Sequence, residues 1–312
     1  MTVRVRSPAD AWWWLLLVVM AAAAAAVLRG DMDDSVSADS AFEVWADMVR
    51  DVDQCGLTLV RVSADEEMRL GRELAASGGW REVTASPWSG YVESVGADVA
   101  AHVRRRDIEY RFHVVDSPDV NAFALPGGQV FVTTGMLGFL ESEAELAFVL
   151  GHEIAHVDQR HAIERLMTRL AMERIGLGEV GKMADLPLAL VRGGYRKYHE
   201  LEADTVGLHL GMAAGYEPAA AVAPFRRLEA RRRTVRPLAA SNPLSEAAGA
   251  VAVGLGSYLD SHPVTRDRIE RLEQMIAHRR RWGRGTDGFR GVENFRQKVP
   301  RSVREIPDER GD

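Results

Sequence analysis

Hydrophobic and polar positions divide the chain into an apolar N-terminal run, a short stretch of alternating residues and several helical segments. Residues 11–28 are all apolar, and a helix of that length, at about 1.5 Å per residue, nearly crosses a bilayer core. After Ser142 the apolar residues recur at helical spacing, which predicts a helix. Three strand-like segments separated by short turns predict a small antiparallel sheet, at 108–114, 121–125 and 129–133. The predicted fold class is α+β and mainly helical, with one N-terminal transmembrane helix.

The flanks of the apolar run predict how it is oriented. Arg4 and Arg6 precede it and acidic residues from Asp31 onward follow it, an asymmetry that keeps the N-terminus in the cytoplasm and places the remainder outside. We therefore expect a single-pass protein of a bacterial cell membrane, with its folded part on the periplasmic or extracellular side. A cleaved signal peptide is the alternative, because residues 24–26 are alanines that offer a cleavage site; the protein would then be secreted.

Composition narrows the chemistry that this chain can perform. It has 312 residues, of which 46% are hydrophobic and 27% charged, as in ordinary globular proteins. Its 45 acidic and 39 basic residues give a formal net charge of -6, which does not favour binding to nucleic acid. The one cysteine, Cys55, excludes an intramolecular disulfide and a multi-cysteine metal site. A bound metal must therefore be held by carboxylates and by some of the nine histidines.

The strongest chemical signal is the sequence His-Glu-Ile-Ala-His at 152–156, inside the helix predicted after Ser142. Residues four apart on a helix lie about 40° apart around its axis, so His152 and His156 project from one face toward one ion. Glu153 points to one side of that pair, where it can reach a water molecule and act as a general base. This pattern predicts a metal-dependent hydrolase.

A catalytic zinc usually takes three protein ligands, and the third is expected in the acidic segment 200–204. Glu200 and Glu202 lie about 200° apart on a helix, so only one of them can face the ion. Glu200 shares its face with Asp204, which could accept the ring N–H of a ligating histidine. This facing argument favours Glu200 and leaves Glu202 as the alternative.

Four ordered motifs resemble the zinc metallopeptidase family that includes HtpX, the Oma peptidases and BepA, with the CAAX prenyl proteases as more distant relatives. The motifs are Asn-Ala-Phe-Ala-Leu-Pro-Gly-Gly at 121–128, the histidine motif at 152–156, Glu200-x-x-Ala203-Asp204, and Ser-His-Pro at 261–263 followed by Arg268. The resemblance implies a gluzincin-type fold and one Zn²⁺ per chain. By motif, His152, His156 and Glu200 would be ligands, Glu153 the base, and Asp204 a support behind the ligands.

The same resemblance implies further site residues. An edge strand would receive an extended or unfolded polypeptide as an added strand; its residues would be Asn121, Ala122, Phe123 and Ala124. His262 and Arg268 match a histidine and an arginine near the cleft of the family. His262 is predicted to stabilise the tetrahedral oxyanion, with a structural role as the alternative, and Arg268 to support the ligands from behind.

Together these observations predict a membrane-tethered zinc metalloendopeptidase that hydrolyses unfolded or misassembled envelope proteins. The predicted organisation is an anchor or signal sequence at 1–30, an exported linker and helix at 31–64, the peptidase domain at 65–278 and a flexible polar tail at 279–312. One alternative is a zinc-stabilised chaperone or assembly factor that binds strands without cutting them. Another is a latent enzyme whose glycine-rich segment 176–194 covers the cleft. No feature of the sequence predicts the oligomeric state.

Overall fold

The computed structural model describes residues 62–174, 186–192, 194–234, 258, 261–263, 266–281 and 287–308. The described helices are, in chain order, α1 Ala64–Ser77, α2 Pro87–Ala100, α3 Thr134–Phe139, α4 Glu143–Asp158, α5 His161–Arg174, α6 Leu186–Arg192, α7 Lys197–Ala213, α8 Ala223–Thr234, α9 Arg266–Arg281 and α10 Val292–Gln297. The strands are β1 Arg111–Val115, β2 Ala122–Leu125 and β3 Gln129–Thr133. This is the mainly helical architecture that the sequence predicts.

The predicted N-terminal anchor, residues 11–28, lies outside the described residues. Among those that are described, no helix combines the length and the hydropathy needed to cross a bilayer. Most of the glycine-rich segment 176–194 is also outside the description, except that residues 186–192 form the short helix α6. The predictions of an anchor and of a covering segment therefore stay predictions.

Serine hydroxyls cap the first turns of α1 and α4. The Ser63 hydroxyl accepts a hydrogen bond from the backbone N–H of Glu66 at the start of α1. The Ser142 hydroxyl accepts one from Glu145 at the start of α4. Each bond satisfies an amide that has no partner within its own helix. The start of α4, which carries the histidine motif, is therefore determined locally.

The sheet is mixed, so the prediction of an antiparallel sheet is wrong in one respect. The strand order is β1-β3-β2; β2 runs antiparallel to β3, but β1 runs parallel to it. A tight turn at Pro126–Gly128 joins β2 to β3, and this pair is antiparallel as short turns require. The chain leaving β1 passes first to the outer position, β2, before β3 returns beside β1. Turn length constrains only consecutive strands, which is why it did not predict the parallel pair.

Every residue of helix α4 is buried. It packs against α7, and the two backbones approach closely at Gly151 and Gly207. A Cβ atom added at Gly207 would lie 2.9 Å from the backbone nitrogen of His152, closer than real Cβ atoms come. Two residues without side chains thus bring the histidine-bearing face of α4 against the face of α7 that carries Glu200.

Part of the segment that the sequence predicts to be a flexible tail, residues 287–308, makes specific contacts. The described residues 287–308 include helix α10, in which Phe295 and Asn294 are buried. The Asn294 amide donates hydrogen bonds to the carbonyls of Val299 and Arg304 and accepts one from the N–H of Ile306. The buried Asn294, a hydrogen bond from the backbone N–H of Arg301 to Glu143 and ring contacts of Phe295 hold this segment, rather than an apolar stripe. Hydrophobic periodicity therefore did not reveal it.

Candidate metal centre

Four buried side chains from three parts of the chain converge at one point. They are His152, His156, Glu200 and His262, and one potential ligand atom from each lies within 4.8 Å of the others. His152 Nε2 lies 3.2 Å from His156 Nε2 and 3.5 Å from Glu200 Oε2. His156 Nε2 lies 3.5 Å from Glu200 Oε1. Donors at zinc-ligand distance from one tetrahedral ion are about 3.3 Å apart, so the donor set and its spacing fit zinc.

The structure separates the two glutamates that the sequence left as alternatives. Glu200 is 1% exposed and faces the two histidines of α4. The carboxylate of Glu202 turns away and contacts the ring of His161, with 3.0 Å between Oε2 and Nε2. The structure thus brings Glu200, and not Glu202, to the motif histidines. It also shows that Glu202 contacts a buried ring rather than solvent alone.

Behind the donor group lies a buried ion pair. Asp204 Oδ1 is 3.1 Å from His152 Nδ1. This nitrogen is on the side of the imidazole ring that faces away from the four donor atoms. Arg268 donates two hydrogen bonds of 2.7 Å to Asp204, and its Nη1 lies 2.7 Å from Glu200 Oε2. The guanidinium is 1% exposed and compensates two buried carboxylates. These contacts orient one histidine and one carboxylate of the group.

The charges of this cluster shift its pKa values. Burial alone would lower the pKa of His152, but the carboxylates of Asp204 and Glu200 outweigh it and raise the pKa to about 10. Burial alone would raise the pKa of Glu200, but the imidazole of His262 and the other two rings hold it well below its ordinary value. Without a metal, the neighbouring carboxylates therefore favour the protonated form of His152. Binding a cation at this group must displace that proton.

Glu153 is completely buried beside the group. Neither of its carboxylate oxygens has a hydrogen-bond partner in the part of the chain that the structure describes. The Nε2 atom of His262 lies 3.5 Å from Oε1, beyond a normal hydrogen bond. A buried carboxylate is expensive to leave unsatisfied. Its oxygens therefore indicate a place for water or for substrate.

His262 lies at the centre itself, not merely near the cleft. Its Nδ1 is 2.9 Å from Glu200 Oε1 and 3.2 Å from His152 Nε2. It therefore offers a fourth donor to the group. The Ser-His-Pro motif at 261–263 implied a histidine near the cleft, but it did not predict the direct contacts of His262 with Glu200 and His152.

Tyr195 and His161 contact the group, and His199 stacks on the outer side of His161; the sequence analysis selected none of these three residues. The Tyr195 ring stacks on His156, with ring centres 3.6 Å apart and planes 8° apart. His161 Nδ1 lies 3.1 Å from His156 Nδ1, and the His199 ring stacks on His161 at 4.2 Å. Burial lowers the pKa of His161 and of His199 to about 4. No spacing signal in the sequence marks these residues, because the break between α4 and α5 and the approach of α7 bring them together.

The predicted edge strand forms β2. Ala122, Phe123 and Ala124 pair with β3 on one side, and among the described residues no strand pairs with the other side. The backbone of Asn121 is bonded to Thr133, whose N–H donates to the Asn121 carbonyl. Asn121 Oδ1 is buried without a hydrogen-bond partner in the described residues. Strand β2 also packs against α4, the helix that carries the histidine motif.

A group of histidines and a carboxylate beside an unsatisfied buried glutamate defines a class of protein, the metal-dependent hydrolases. Comparison with models of protein families matches residues 88–276 to Peptidase family M48. This match covers more than half of the chain. The chain therefore belongs to peptidase family M48, whose metalloproteases are zinc-dependent.

Individual relatives agree with this family. The chain is 30% identical over 227 residues to the mitochondrial metalloendopeptidase OMA1 of Schizosaccharomyces pombe, which covers 69% of this chain and 62% of that protein. It is 33% identical over 183 residues to OMA1 of Arabidopsis thaliana, covering 56% of this chain and 33% of that protein. It is 28% identical over 181 residues to the beta-barrel assembly-enhancing protease of Yersinia pestis, covering 51% and 37%. The chain thus spans less than two thirds of the length of these relatives.

Proposed function

We propose that this chain is a zinc-dependent metalloendopeptidase in which His152, His156 and Glu200 bind the metal. The observation that carries the proposal is Glu153, a fully buried carboxylate with no hydrogen-bond partner among the described residues, beside a donor group of zinc-like spacing. A site with a purely structural metal has no use for such a carboxylate. Membership of peptidase family M48 supports the same reaction class.

Each remaining side chain has a defined task in this proposal. Zinc, when bound, supplies Lewis-acid activation of water and of the scissile carbonyl. Glu153 accepts a proton from the attacking water and returns it to the departing amine. Asp204 faces the outer nitrogen of His152 and fixes its orientation, and Arg268 holds Asp204 and Glu200 in place. Helix α4 thus carries both the base and two of the ligands.

His262 has two candidate roles at this site. As the stabiliser of the oxyanion it would act from beside Glu153, from which its Nε2 is 3.5 Å away. As a fourth ligand it would act through Nδ1, which is 2.9 Å from Glu200 Oε1. Four protein ligands are typical of structural zinc sites. This observation favours a second candidate function, a zinc-stabilised assembly factor or chaperone that binds unfolded strands without cleaving them.

For the substrate we propose an extended or unfolded polypeptide that adds to the edge of β2 with which no described strand pairs, at residues 121–124. Strand addition recognises backbone more than side chains, which suits unfolded or misassembled envelope proteins of varied sequence. The name of one relative, the beta-barrel assembly-enhancing protease, supports a substrate of this kind.

We further propose that the apolar residues 11–28 tether the protein to a bacterial cell membrane, with residues 65–278 on the periplasmic or extracellular side. Secretion after signal cleavage is the alternative. The arginines before the apolar run and the acids after it support this orientation. Because Asn294 and Phe295 are buried, we propose that residues 287–308 belong to the same folded unit as the peptidase domain.

The experiment that tests the enzymatic proposal is cleavage of an unfolded model protein such as casein by the full chain. We expect cleavage that a zinc chelator abolishes and that added Zn²⁺ restores. Binding of casein without any cleavage by the zinc-loaded chain would favour the chaperone instead. Cleavage that survives complete removal of the metal would contradict both functions.

A further inference from the structure

A line of polar contacts runs outward from His156 through two residues that have no task in the proposed reaction. His156 Nδ1 lies 3.1 Å from His161 Nδ1, and His161 Nε2 lies 3.0 Å from Glu202 Oε2. His156 is completely buried and the His161 side chain is 3% exposed, whereas the Glu202 side chain is 33% exposed. The line therefore begins at the donor group and ends at a carboxylate that reaches solvent.

The backbone makes a special turn to form the first contact. In a continuous helix, residues five apart lie about 140° apart around the axis, so His161 would face away from His156. Instead α4 ends at Asp158, and Arg160 adopts a left-handed conformation with φ 65° before α5 begins at His161. This conformation is unfavourable for a residue with a side chain. A left-handed residue at this place ends the helix and lets the chain turn so that His161 contacts His156.

The atoms of the line determine where its protons lie. His156 Nε2 faces the donor group, 3.2 Å from His152 Nε2, so a neutral His156 that binds metal carries its proton on Nδ1. His161 Nδ1 must then accept that proton in a hydrogen bond. A neutral His161 consequently has its own proton on Nε2, where it can donate to the Glu202 carboxylate.

We propose that His161 and Glu202 are positioning residues that hold His156 in the tautomer and orientation needed to bind the metal. This inference rests on the metal site of the proposed function. Outer partners of ligating histidines fix the ring and increase its basicity. Here the outer partner of His156 is the imidazole of His161. The carboxylate of Glu202, on the other side of that imidazole, supplies the charge that polarises it.

The two motif histidines are held by different means. His152 faces Asp204 directly, at 3.1 Å, and Asp204 is itself neutralised by Arg268. His156 faces a neutral ring, and its carboxylate partner is indirect. Substitutions at His161 and Glu202 should therefore weaken metal binding through His156 without touching the Asp204–Arg268 pair.

The packing around His161 offers a matched control. The ring of His199 stacks on that of His161, with centres 4.2 Å apart and planes 21° apart, but His199 lies outside the line of hydrogen bonds from His156 to Glu202. Replacing His199 by phenylalanine keeps a planar ring against His161. Replacing His161 by phenylalanine keeps the ring but removes both nitrogens of the line.

The experiment measures the dissociation constant for Zn²⁺ in the full chain by competition with a chromophoric chelator. We expect His161→Phe to raise this constant about 10- to 100-fold. His161→Gln, whose amide can still accept and donate, should stay closer to the parent. Glu202→Gln should raise the constant by less than His161→Phe, and His199→Phe should leave it unchanged. Thermal unfolding of the metal-free variants shows whether each one folds.

An equal Zn²⁺ constant for His161→Phe and His199→Phe, with both folded, would overturn the proposal. If His161→Phe does not fold, Glu202→Gln decides alone, because its side chain is partly exposed; an unchanged constant in that variant would also overturn it. The proposed function fails separately, if the parent binds Zn²⁺ but does not cleave casein. In that case, comparing the Zn²⁺ dissociation constant of each variant with that of the parent still tests whether His161 and Glu202 are positioning residues.

Discussion

Helix α4 carries two fully buried carboxylates that differ in how their oxygens are satisfied. Glu143, in the first turn, accepts hydrogen bonds from the hydroxyls of Tyr91 and Tyr216 at 2.8 and 3.0 Å, and from the backbone N–H of Arg301 at 3.1 Å. Glu153, ten residues later, accepts none from the residues that the structure describes. Both side chains are 0% exposed, so burial alone does not distinguish them.

The difference indicates what each carboxylate is for. Glu143 joins α2, the turn after α7 and the C-terminal segment to the start of α4, and its partners are all protein groups. Glu153 has no hydrogen-bond partner among the described residues and lies beside atoms able to hold a metal. A satisfied buried carboxylate stabilises a fold, whereas an unsatisfied one reduces stability and is retained for chemistry. Substitution can test this distinction at both positions.

The largest effect is expected for Glu153→Gln. Glutamine keeps the volume but cannot take a proton from water, so kcat/KM for casein should fall about 10²- to 10⁴-fold. Zn²⁺ binding should be retained, because His152, His156 and Glu200 are unchanged. Steady-state cleavage assays and metal analysis of the purified variant measure the two quantities. Undiminished turnover would remove Glu153 from the mechanism.

The next effect is on stability, at the other end of the helix. Glu143→Ala leaves the hydroxyls of Tyr91 and Tyr216 and the N–H of Arg301 without their acceptor, and should reduce the free energy of unfolding by about 3 kcal/mol. Glu153→Ala is the matched control and should cost far less, since no described donor loses a partner. Chemical denaturation of both metal-free variants makes the measurement. If both variants lost the same free energy of unfolding, Glu143 and Glu153 would not differ in how much they stabilise the fold.

The smallest effect is a dependence on pH. Burial raises the pKa of the Glu143 carboxyl above its ordinary value, against the donors that favour its charged form. The folded state then holds this proton more tightly than the unfolded state. The stabilisation is complete below the unfolded pKa, about 4.3, and is lost as the pH rises through the folded pKa. Glu143→Gln should remove this part of the slope at pH values above the unfolded pKa.

Denaturation of the parent and of Glu143→Gln across that pH range makes the comparison. Glu73→Gln, at an exposed carboxylate paired with Arg69, is the control for removing one carboxylate from the protein surface. Parallel slopes for the parent and Glu143→Gln would contradict the raised pKa. The same comparison at Glu153 involves the metal centre and is better made through activity.

Several features of this molecule follow from sequence alone because they depend on neighbours within one or two helical turns. The serine caps at Ser63 and Ser142 are hydrogen bonds between residues three apart. The spacing of His152 and His156 brings both rings to one face of any helix that contains them. The antiparallel pairing of β2 with β3 follows from the short turn between them. Such local relations hold whatever the rest of the chain does.

Tertiary packing decided the features that connect distant residues. His152 and His262 are 110 residues apart yet lie 3.2 Å from each other, and the parallel pairing of β1 with β3 joins non-consecutive strands. Glu200 rather than Glu202 reaches the histidines because Gly151 and Gly207 let α4 and α7 approach in one orientation. The sequence by itself determined which local face carries the chemistry. Only the packed structure decided what meets that face, because contacts between distant residues depend on how whole elements dock and not on periodicity within one of them.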